Sequence, residues 1–288
     1  MKLAFAFLWL VRLLPIPLIH VLAVILGRAS YYMIAPRRRV GLINMQLCFP
    51  EWSKARHRQI IKGCFVNMAR MLLEYGICWY SRAERIRRLM PIKNLHYLTD
   101  LRNAGQDVVV FFPHFTAFEM GAVTLNQDIP LLSIYSHQKN KALDEQLYRG
   151  RMRFNNTDLI SRQESLRAII KAMRTDHRPL MYLPDQDFGA RDSLFVKFFA
   201  TDAATVTGLS RITRLAKAKM VPIIARRVGF HFELECYPPW ENYPSDDITA
   251  DTRRMNAFLE ARILEHPEQY YWLHKRFKTR PPGEARFY

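Results

Sequence analysis

The feature that most constrains this chain is an apolar run at residues 108–112, which Pro113 stops and His114 follows at once. Five consecutive β-branched or aromatic residues predict a buried strand, and proline ends it because it has no amide hydrogen to donate. Residues 117–120 favour a helix. We therefore expect His114 in the turn between a strand end and a helix start, at the edge of an open α/β sheet where ligands bind.

An acid, Glu119, follows His114 after four intervening residues. On one straight helix the two side chains would point about 140° apart, so they can meet only if His114 precedes the helix and folds back over its first turn. The carboxylate would then hold one imidazole nitrogen and leave the other free as a base. The alternative is a histidine that caps backbone and a solvated first-turn acid that the helix dipole favours.

After Gly121 the chain alternates between strand and helix patterns. The strand patterns cover residues 130–135, 157–160, 179–183, 220–225 and 231–237, and the helical ones cover residues 140–154, 163–174, 204–218 and 249–265. Before the central strand, helical spacing over residues 52–80 predicts a long helix with Ser53 as its N-cap. The alternation predicts an α/β domain with a mainly parallel central sheet flanked by helices.

The N-terminal stretch, residues 3–27, is almost wholly apolar, but an arginine, two prolines and a histidine interrupt it. A clean spanning helix needs roughly 20 uninterrupted apolar residues, and no clear cleavage site of a signal peptide is present. We therefore predict a retained, partly inserted membrane anchor over residues 1–28, as an N-terminal helical arm. Residues 29–288 would then form the catalytic domain.

The net charge of +17 is unevenly placed, because the first 100 residues carry 16 Lys and Arg against 4 Asp and Glu. Such an excess can serve nucleic acid, an anionic membrane or an acidic partner. Tyr31 and Tyr32, followed by Arg37, Arg38 and Arg39, favour a membrane surface, where each basic residue contributes on the order of 1 kcal/mol. A nucleic-acid binder would expose its aromatic residues, whereas here they follow core periodicity, so we predict no nucleic-acid partner.

Basic and acidic clusters provide further candidate binding residues. Arg149, Arg151 and Arg153 suit bidentate recognition of phosphate, although such a cluster alone is more often a solvated helix face. Asp185 and Asp187 follow a predicted strand, where acids can bind a metal, fix an arginine or cap a loop.

A third candidate stretch consists of small and apolar residues at 198–208, which include Thr205. It can line an acyl groove or merely pack. The chain has no P-loop, GxGxxG, GxSxG or HExxH pattern. Neither serine nor cysteine adjoins His114, so no covalent nucleophile is indicated. The four cysteines show no metal spacing, which is typical of reduced core residues in a cytoplasm-facing protein.

The motifs together resemble one enzyme family over essentially the whole chain. His114-x4-Glu119 is similar to the signature of glycerol-phosphate acyltransferases. Its combination with residues 150–153, 185–189 and 267–281 resembles the late (secondary) acyltransferases of lipid A biosynthesis, the lauroyl-transferase type of Gram-negative bacteria. One departure is Phe-Thr-Ala-Phe after the histidine, where many relatives have Gly-Asn-Trp. It leaves the histidine and the glutamate intact.

This resemblance implies a glycerol-phosphate-acyltransferase-like fold and transfer of an acyl chain from acyl carrier protein to the 3-hydroxyl of a primary acyl chain on a lipid A precursor. The enzyme would act at the bacterial inner membrane with its catalytic domain facing the cytoplasm. Acyl carrier protein would be a co-substrate, and no cofactor or metal is implied. His114 would be the base, Glu119 would orient it, and no covalent intermediate would form. The implied substrate-binding residues are Arg149, Arg151, Arg153, Asp185, Asp187 and Thr205.

Two details refine the arginine cluster. Arg149 and Arg151 diverge by roughly 200° on a helix, and Arg151 matches the Gly-Arg-x-Arg position of the family. We therefore expect Arg151 to face the site, fixed by Asp187, and Arg149 to be solvated or paired with Asp144 or Glu145.

Two other functions stay open: a lysophospholipid or glycerol-phosphate acyltransferase with the same pair, and a non-enzymatic basic membrane or nucleic-acid binder that only the charge supports.

Overall fold

A central sheet organises the computed structural model, which describes residues 2–154, 157–161, 164–175 and 177–288. The described strands, numbered along the chain, are β1 (Ile92–Lys93), β2 (Val108–Phe111), β3 (Leu132–Tyr135), β4 (Asp158–Ser161), β5 (Leu180–Tyr182), β6 (Ser193–Phe198), β7 (Thr201–Val206), β8 (Lys219–Val228) and β9 (His231–Cys236). Within these residues seven strands form one sheet in the order β1-β9-β8-β2-β5-β3-β4. The predicted central strand, β2, is the middle one.

The pairing of the strands is mainly parallel. β2 is parallel to both β5 and β8, β3 is parallel to β4 and β5, and β1 is parallel to β9. β8 and β9 are antiparallel, since a tight turn joins them. The prediction of an α/β domain with a mainly parallel sheet is confirmed, while the more specific likeness to glycerol-phosphate acyltransferases stays a prediction.

Helices cover both faces of the sheet. They are α1 (Lys2–Val11), α2 (Ile16–Met33), α3 (Ala35–Cys48), α4 (Lys54–Tyr80), α5 (Ala83–Leu89), α6 (His96–Asn103), α7 (Phe118–Leu125), α8 (Lys141–Arg151), α9 (Leu166–Arg174), α10 (Gly208–Ala216) and α11 (Ile248–Glu265). The N-cap predicted for α4 is confirmed, because the Ser53 side chain accepts from Arg56 N. Residue 163, the predicted first residue of α9, lies outside the described residues.

One predicted helix begins in the wrong place. Residues 204–206 belong to β7, which pairs with β6 in a separate antiparallel hairpin, and α10 begins only at Gly208. The β-branched Thr205 and Val206 on the hairpin instead favour a strand, since their side chains pack on a pleated surface.

Alternate residues of β2 enter different layers of the core. Val109 and Phe111 pack in one hydrophobic cluster, and Val108 and Val110 pack in a second one. Successive side chains of a strand point to opposite faces of the sheet, so a strand covered on both faces must be apolar throughout. This burial explains the uninterrupted apolar run.

The four cysteines are buried and form no disulfide bond: Cys48, Cys64, Cys78 and Cys236.

The first two helices pack tightly on α4. A Cβ atom added to Gly27 would lie 2.5 Å from the Val66 Cα, and one added to Gly76 would lie 2.2 Å from the Leu8 carbonyl oxygen. Close backbone approach therefore docks the N-terminal arm onto the rest of the protein. The domain boundary predicted at residue 28 falls inside α2, and the division into an anchor and a catalytic domain stays a prediction.

The outer surface of α2 is apolar. Its large exposed side chains include Leu18, Val21, Ile25 and Leu26. By length and composition α2 can cross a membrane, with a mean hydropathy of 1.4 and 28% of its residues buried in the protein. The opposite face, which carries Ile19 and Ala23, packs inward. α2 therefore has one protein-facing and one apolar, solvent-exposed side.

Candidate active site

Parallel pairing of β2 and β5 brings two polar side chains together at the carboxyl edge of the sheet. Phe111 lies opposite Tyr182, and the pairing extends one residue further through a 2.9 Å hydrogen bond from Phe112 N to the Tyr182 carbonyl oxygen. His114 and Asp185 each follow three residues after this matched pair. The two loops therefore leave the sheet side by side, with the imidazole and the carboxylate in contact.

Asp185 binds His114 twice. The His114 backbone N–H donates to Oδ2 at 3.0 Å, and the ring nitrogen Nδ1 lies 2.7 Å from Oδ1. Burial alone would raise the pKa of Asp185, but the charge of His114 and these hydrogen bonds hold that pKa below its ordinary value. An ionised carboxylate can only accept, so we assign the proton to Nδ1, which leaves Nε2 as the basic nitrogen.

His114 is also accessible. Its side chain is 20% exposed, whereas that of Asp185 is fully buried. The Phe118 ring lies 5.7 Å from the imidazole. The C-terminal segment supports the pair from behind, because Tyr271 N donates to the His114 carbonyl oxygen at 3.2 Å and the Tyr270 hydroxyl donates to the Asp185 carbonyl oxygen at 3.2 Å. Both loops are thus held by backbone contacts while the imidazole edge stays open.

Glu119 is bound to Arg151, and the predicted contact between Glu119 and His114 is wrong. Arg151 Nε donates to Oε1 at 3.0 Å and Nη2 donates to Oε2 at 2.7 Å. Glu119 lies on the first turn of α7 and is 2% exposed, and a buried carboxylate is stabilised by a guanidinium that satisfies both oxygens. The prediction that Asp187 fixes Arg151 is likewise wrong, because Glu119 does so.

The ion pair has electrostatic consequences for Arg151. Burial would lower the pKa of this guanidinium, but the charge of Glu119 and the hydrogen bonds between them raise the pKa above its ordinary value. Arg151 ends α8 and also lies 5.6 Å from the centre of the Tyr135 ring. The pair therefore joins the first turn of α7 to the last turn of α8 at the edge where His114 lies.

The two neighbouring arginines are placed elsewhere. Arg149 Nη2 donates to Glu145 Oε1 at 2.6 Å on the exposed face of α8, which confirms one of the two partners predicted for it. Arg153 donates to the carbonyl oxygens of Cys78 and Ser81 at 2.5 and 2.6 Å and so closes the end of α4. Of the three arginines, Arg151 alone contacts the His-x4-Glu motif.

The remaining predicted residues hold loops and the hairpin in place. Asp187 Oδ2 accepts from Thr279 N at 2.7 Å, and Oδ1 accepts from the Thr279 hydroxyl at 2.8 Å and from Gly189 N at 2.9 Å. Thr205 is fully buried, and its hydroxyl accepts from Arg276 Nη2 at 2.7 Å. The stretch around Thr205 packs in the hydrophobic core, and its role in lining an acyl groove stays a prediction.

Comparison with known proteins identifies the family. Residues 1–279 match the family model described as bacterial lipid A biosynthesis acyltransferase. The chain is 34% identical to the lipid A biosynthesis lauroyltransferase of Escherichia coli K12 over 279 residues, which cover 96% of this chain and 90% of the relative. The chain belongs to the lipid A biosynthesis acyltransferases. The resemblance inferred from the motifs is thereby confirmed, and the chain is an acyltransferase.

Two further relatives from Escherichia coli K12 have different acyl names. The lipid A biosynthesis palmitoleoyltransferase is 32% identical over 284 residues, with 98% of this chain and 92% of the relative covered. The lipid A biosynthesis myristoyltransferase is 30% identical over 266 residues, with 91% and 82% covered. Because the identities to the three relatives are similar, they do not indicate which acyl chain this acyltransferase transfers.

One histidine of this acyltransferase near the site was not selected from the sequence. His274 Nε2 accepts a 3.1 Å hydrogen bond from Asp187 N, and burial is the main cause that lowers the pKa of His274 to about 4. The ring is therefore neutral near pH 7. His274 lies in the motif at residues 267–281. A histidine within such an aromatic-rich segment was the sequence signal that could have identified it as a residue near the site.

Sequence reasoning also missed a buried ion pair behind the loop that carries His114. Arg227 Nε contacts both Glu74 oxygens at 3.2 Å, and its Nη1 donates to the Thr116 hydroxyl at 2.7 Å. Arg227 and Glu74 have side chains that are 2% and 3% exposed. Gln269 binds the backbone of Arg227 on the same side. Charged residues in the otherwise buried strand β8 were the sequence signal that could have predicted this ion pair, which supports the loop that carries His114.

Proposed function

We propose that this acyltransferase moves a fatty acyl chain from acyl carrier protein to the 3-hydroxyl of a primary acyl chain on a lipid A precursor. The reaction would take place at the cytoplasmic face of the bacterial inner membrane. Family membership supports the pathway, and the hydrogen-bonded pair of His114 and Asp185 supports a base that activates a hydroxyl group. That pair is the observation that carries the mechanism.

The proton would move through His114. With Nδ1–H donating to the ionised Asp185, the free Nε2 takes the proton of the acceptor hydroxyl as its oxygen attacks the thioester carbonyl. The resulting imidazolium is stabilised by the charge of Asp185, which also keeps the ring oriented. When the tetrahedral intermediate collapses, the C–S bond breaks and the leaving thiolate takes the proton from Nε2. The histidine returns to its starting form, and the acyl chain passes directly from sulfur to oxygen.

Arg151 would bind the acceptor. Its Nε and Nη2 are occupied by Glu119, while Nη1 has no acceptor among the described residues. Because the guanidinium is held rigidly, Nη1 would donate to a phosphate or sugar oxygen without losing much side-chain freedom. Glu119 thus acts in this proposal as the residue that positions Arg151.

No metal or cofactor is needed in this proposal, because the thioester already carries the activation. The exposed apolar side of α2, with Leu18 and Ile25, would lie in the bilayer that holds the acceptor. The basic excess of the first 100 residues would add attraction to anionic lipid. This arrangement keeps the site where an acyl chain of the acceptor can reach it.

The test uses purified protein with two lipid A precursors that differ only in the 3-hydroxyl of a primary chain. Acyl carrier protein loaded with a lauroyl, myristoyl or palmitoleoyl chain serves as the donor in separate reactions, and mass spectrometry identifies the products. We expect one added acyl chain on the hydroxylated precursor and none on the deoxy precursor. Acylation of the deoxy precursor, or transfer to a lysophospholipid with equal kcat/KM, would contradict the proposed acceptor.

A further inference from the structure

A basic cleft lies along the C-terminal segment of the chain. It has a volume of about 510 Å³ and is lined by Lys275, Lys278, Arg280, Arg286 and the single acid Glu284, among others. This volume is in the range of ligand-binding clefts. Lys278 lies 3.8 Å from the Asp187 carboxylate and Arg280 pairs with Glu284, whereas Lys275 and Arg286 have no acidic partner among the described residues, and their charges favour an anionic partner.

The cleft is connected to the catalytic loops by short contacts. Lys278 Nζ donates to the Asp187 carbonyl oxygen at 3.4 Å, and Thr279 binds the Asp187 carboxylate. Asp187 follows Asp185, the partner of His114, after one residue. The cleft therefore borders the loop that carries half of the proposed catalytic pair.

One cation of the cleft, Arg280, is held in place by contacts within the protein. The Arg280 side chain is 9% exposed, its Nη1 donates to the Asp202 carbonyl oxygen at 2.8 Å, and its Nη2 pairs with Glu284. Its Nε is buried and has no hydrogen-bond partner among the described residues. Because this Nε is closed to solvent, Arg280 is a fixed part of the cleft wall and does not offer a free donor to a ligand.

The lining of the cleft is mainly polar. Among the described residues that line it, Pro281 and Tyr288 are the apolar or aromatic ones, so the cleft offers little apolar surface to the acyl chains of a glycolipid. Many of the large exposed apolar side chains lie instead on α1 and α2, among them Leu3, Phe7, Leu18 and Ile25. Cations spread over residues 275–286 match the extended acidic surface of a protein better than one headgroup phosphate.

We propose that the basic cleft is the docking surface for the acidic carrier protein whose acyl thioester arm is joined through a phosphodiester. This inference rests on the proposed function, in which such a carrier is the donor. The acidic surface of the carrier contacts Lys275 and Arg286, and the arm passes Lys278 and Asp187 toward His114. Docking on charged, exposed side chains gives rapid and salt-sensitive association.

The test compares charge reversal at two basic surfaces. Lys275→Glu with Arg286→Glu alters the cleft at two exposed side chains, and Arg167→Glu with Lys171→Glu makes the same change in a basic groove on α9. Each protein is assayed with acyl carrier protein and with S-acyl pantetheine, an uncharged donor that lacks the protein. Circular dichroism and Tm compare the folding of each variant, and Lys275→Ala with Arg286→Ala provides a milder change.

We expect the cleft reversal to raise KM for the acyl carrier protein roughly ten-fold and to leave the kinetics with S-acyl pantetheine unchanged. The alanine pair should give a smaller rise, and the α9 pair should match wild type. Three outcomes would overturn the docking site but not the proposed donor. They are an unchanged KM for the acyl carrier protein, an equal rise of that KM in the α9 pair, and a rise confined to the KM for the acceptor. Failure of the wild type to use any acyl carrier protein would overturn the proposed donor as well.

Discussion

Arg151 holds Glu119 through two hydrogen bonds, of 3.0 Å from Nε and 2.7 Å from Nη2. The glutamate of the His-x4-Glu motif thus faces an arginine that follows it by 32 residues, while Asp185 takes the place beside His114. The two carboxylates therefore have separate partners. Substitutions can therefore test separately whether Asp185 orients the base His114 and whether Glu119 positions Arg151.

The first prediction concerns the base and its partner. His114→Ala should lower kcat by about 10²–10⁴-fold, the usual contribution of a general base. Asp185→Asn should also lower kcat while the acceptor KM changes little, because Asp185 acts through the orientation and charge of His114. Asp192→Asn, at a carboxylate that is 56% exposed, serves as the control and should match wild type.

Steady-state kinetics with folded variants provide the measurement. If Asp185→Asn kept full kcat while Glu119→Gln lost it with an unchanged acceptor KM, Glu119 rather than Asp185 would act on the base during turnover.

The second prediction compares two arginines on one helix. Arg151→Lys keeps the charge but loses the planar fork that binds both oxygens of Glu119. Charge-assisted hydrogen bonds contribute about 1.5–3 kcal/mol each, so acceptor kcat/KM should fall roughly ten-fold or more. Arg149→Lys should change little, since its partner Glu145 is exposed. Equal effects of the two substitutions on acceptor kcat/KM would show that Arg151 has no special role.

The third prediction concerns the dependence of stability on pH. Burial chiefly lowers the pKa of His274 from 6.5 to about 4, so between these values the unfolded chain binds a proton that the folded protein does not. This contribution to the free energy of unfolding is therefore complete above pH 6.5 and decreases as the pH falls toward about 4.

His274→Gln isolates that contribution, because the Gln amide oxygen can still accept from Asp187 N without titrating. Chemical denaturation from pH 7.5 to pH 4 should show a smaller loss of stability for the variant than for wild type. Parallel curves would mean that His274 is protonated in the folded protein at the same pH as in the unfolded chain.

The fourth prediction concerns the outer face of α2. Leu18→Glu with Ile25→Glu adds two charges to side chains that are 50% and 60% exposed, so the fold should persist while binding to anionic vesicles falls sharply. Leu215→Glu with Leu264→Glu, at side chains that are 53% and 54% exposed on α10 and α11, is the matched control. Flotation with vesicles measures the bound fraction, and equal flotation of both variants would place the membrane contact elsewhere.

Local pattern by itself determined six of the seven described strands of the central sheet, all but β1, and the position of the candidate base, but not the hairpin of β6 and β7. The apolar residues 108–112 identified a strand covered on both faces, because only such a strand avoids polar side chains throughout. Pro113 then placed His114 at the carboxyl end of that strand. The motifs also identified the family, since their spacing along the chain is itself a sequence property.

Only the tertiary structure decided the partners of the site residues. Asp185 meets His114 because β2 and β5 are adjacent and in register, and no local pattern states which strands are neighbours. Arg151 meets Glu119 because α8 returns to the first turn of α7. A carboxylate and a cation attract at short range wherever the fold brings them together. The sequence could therefore name the charged groups, whereas the packing of strands and helices selected their pairs.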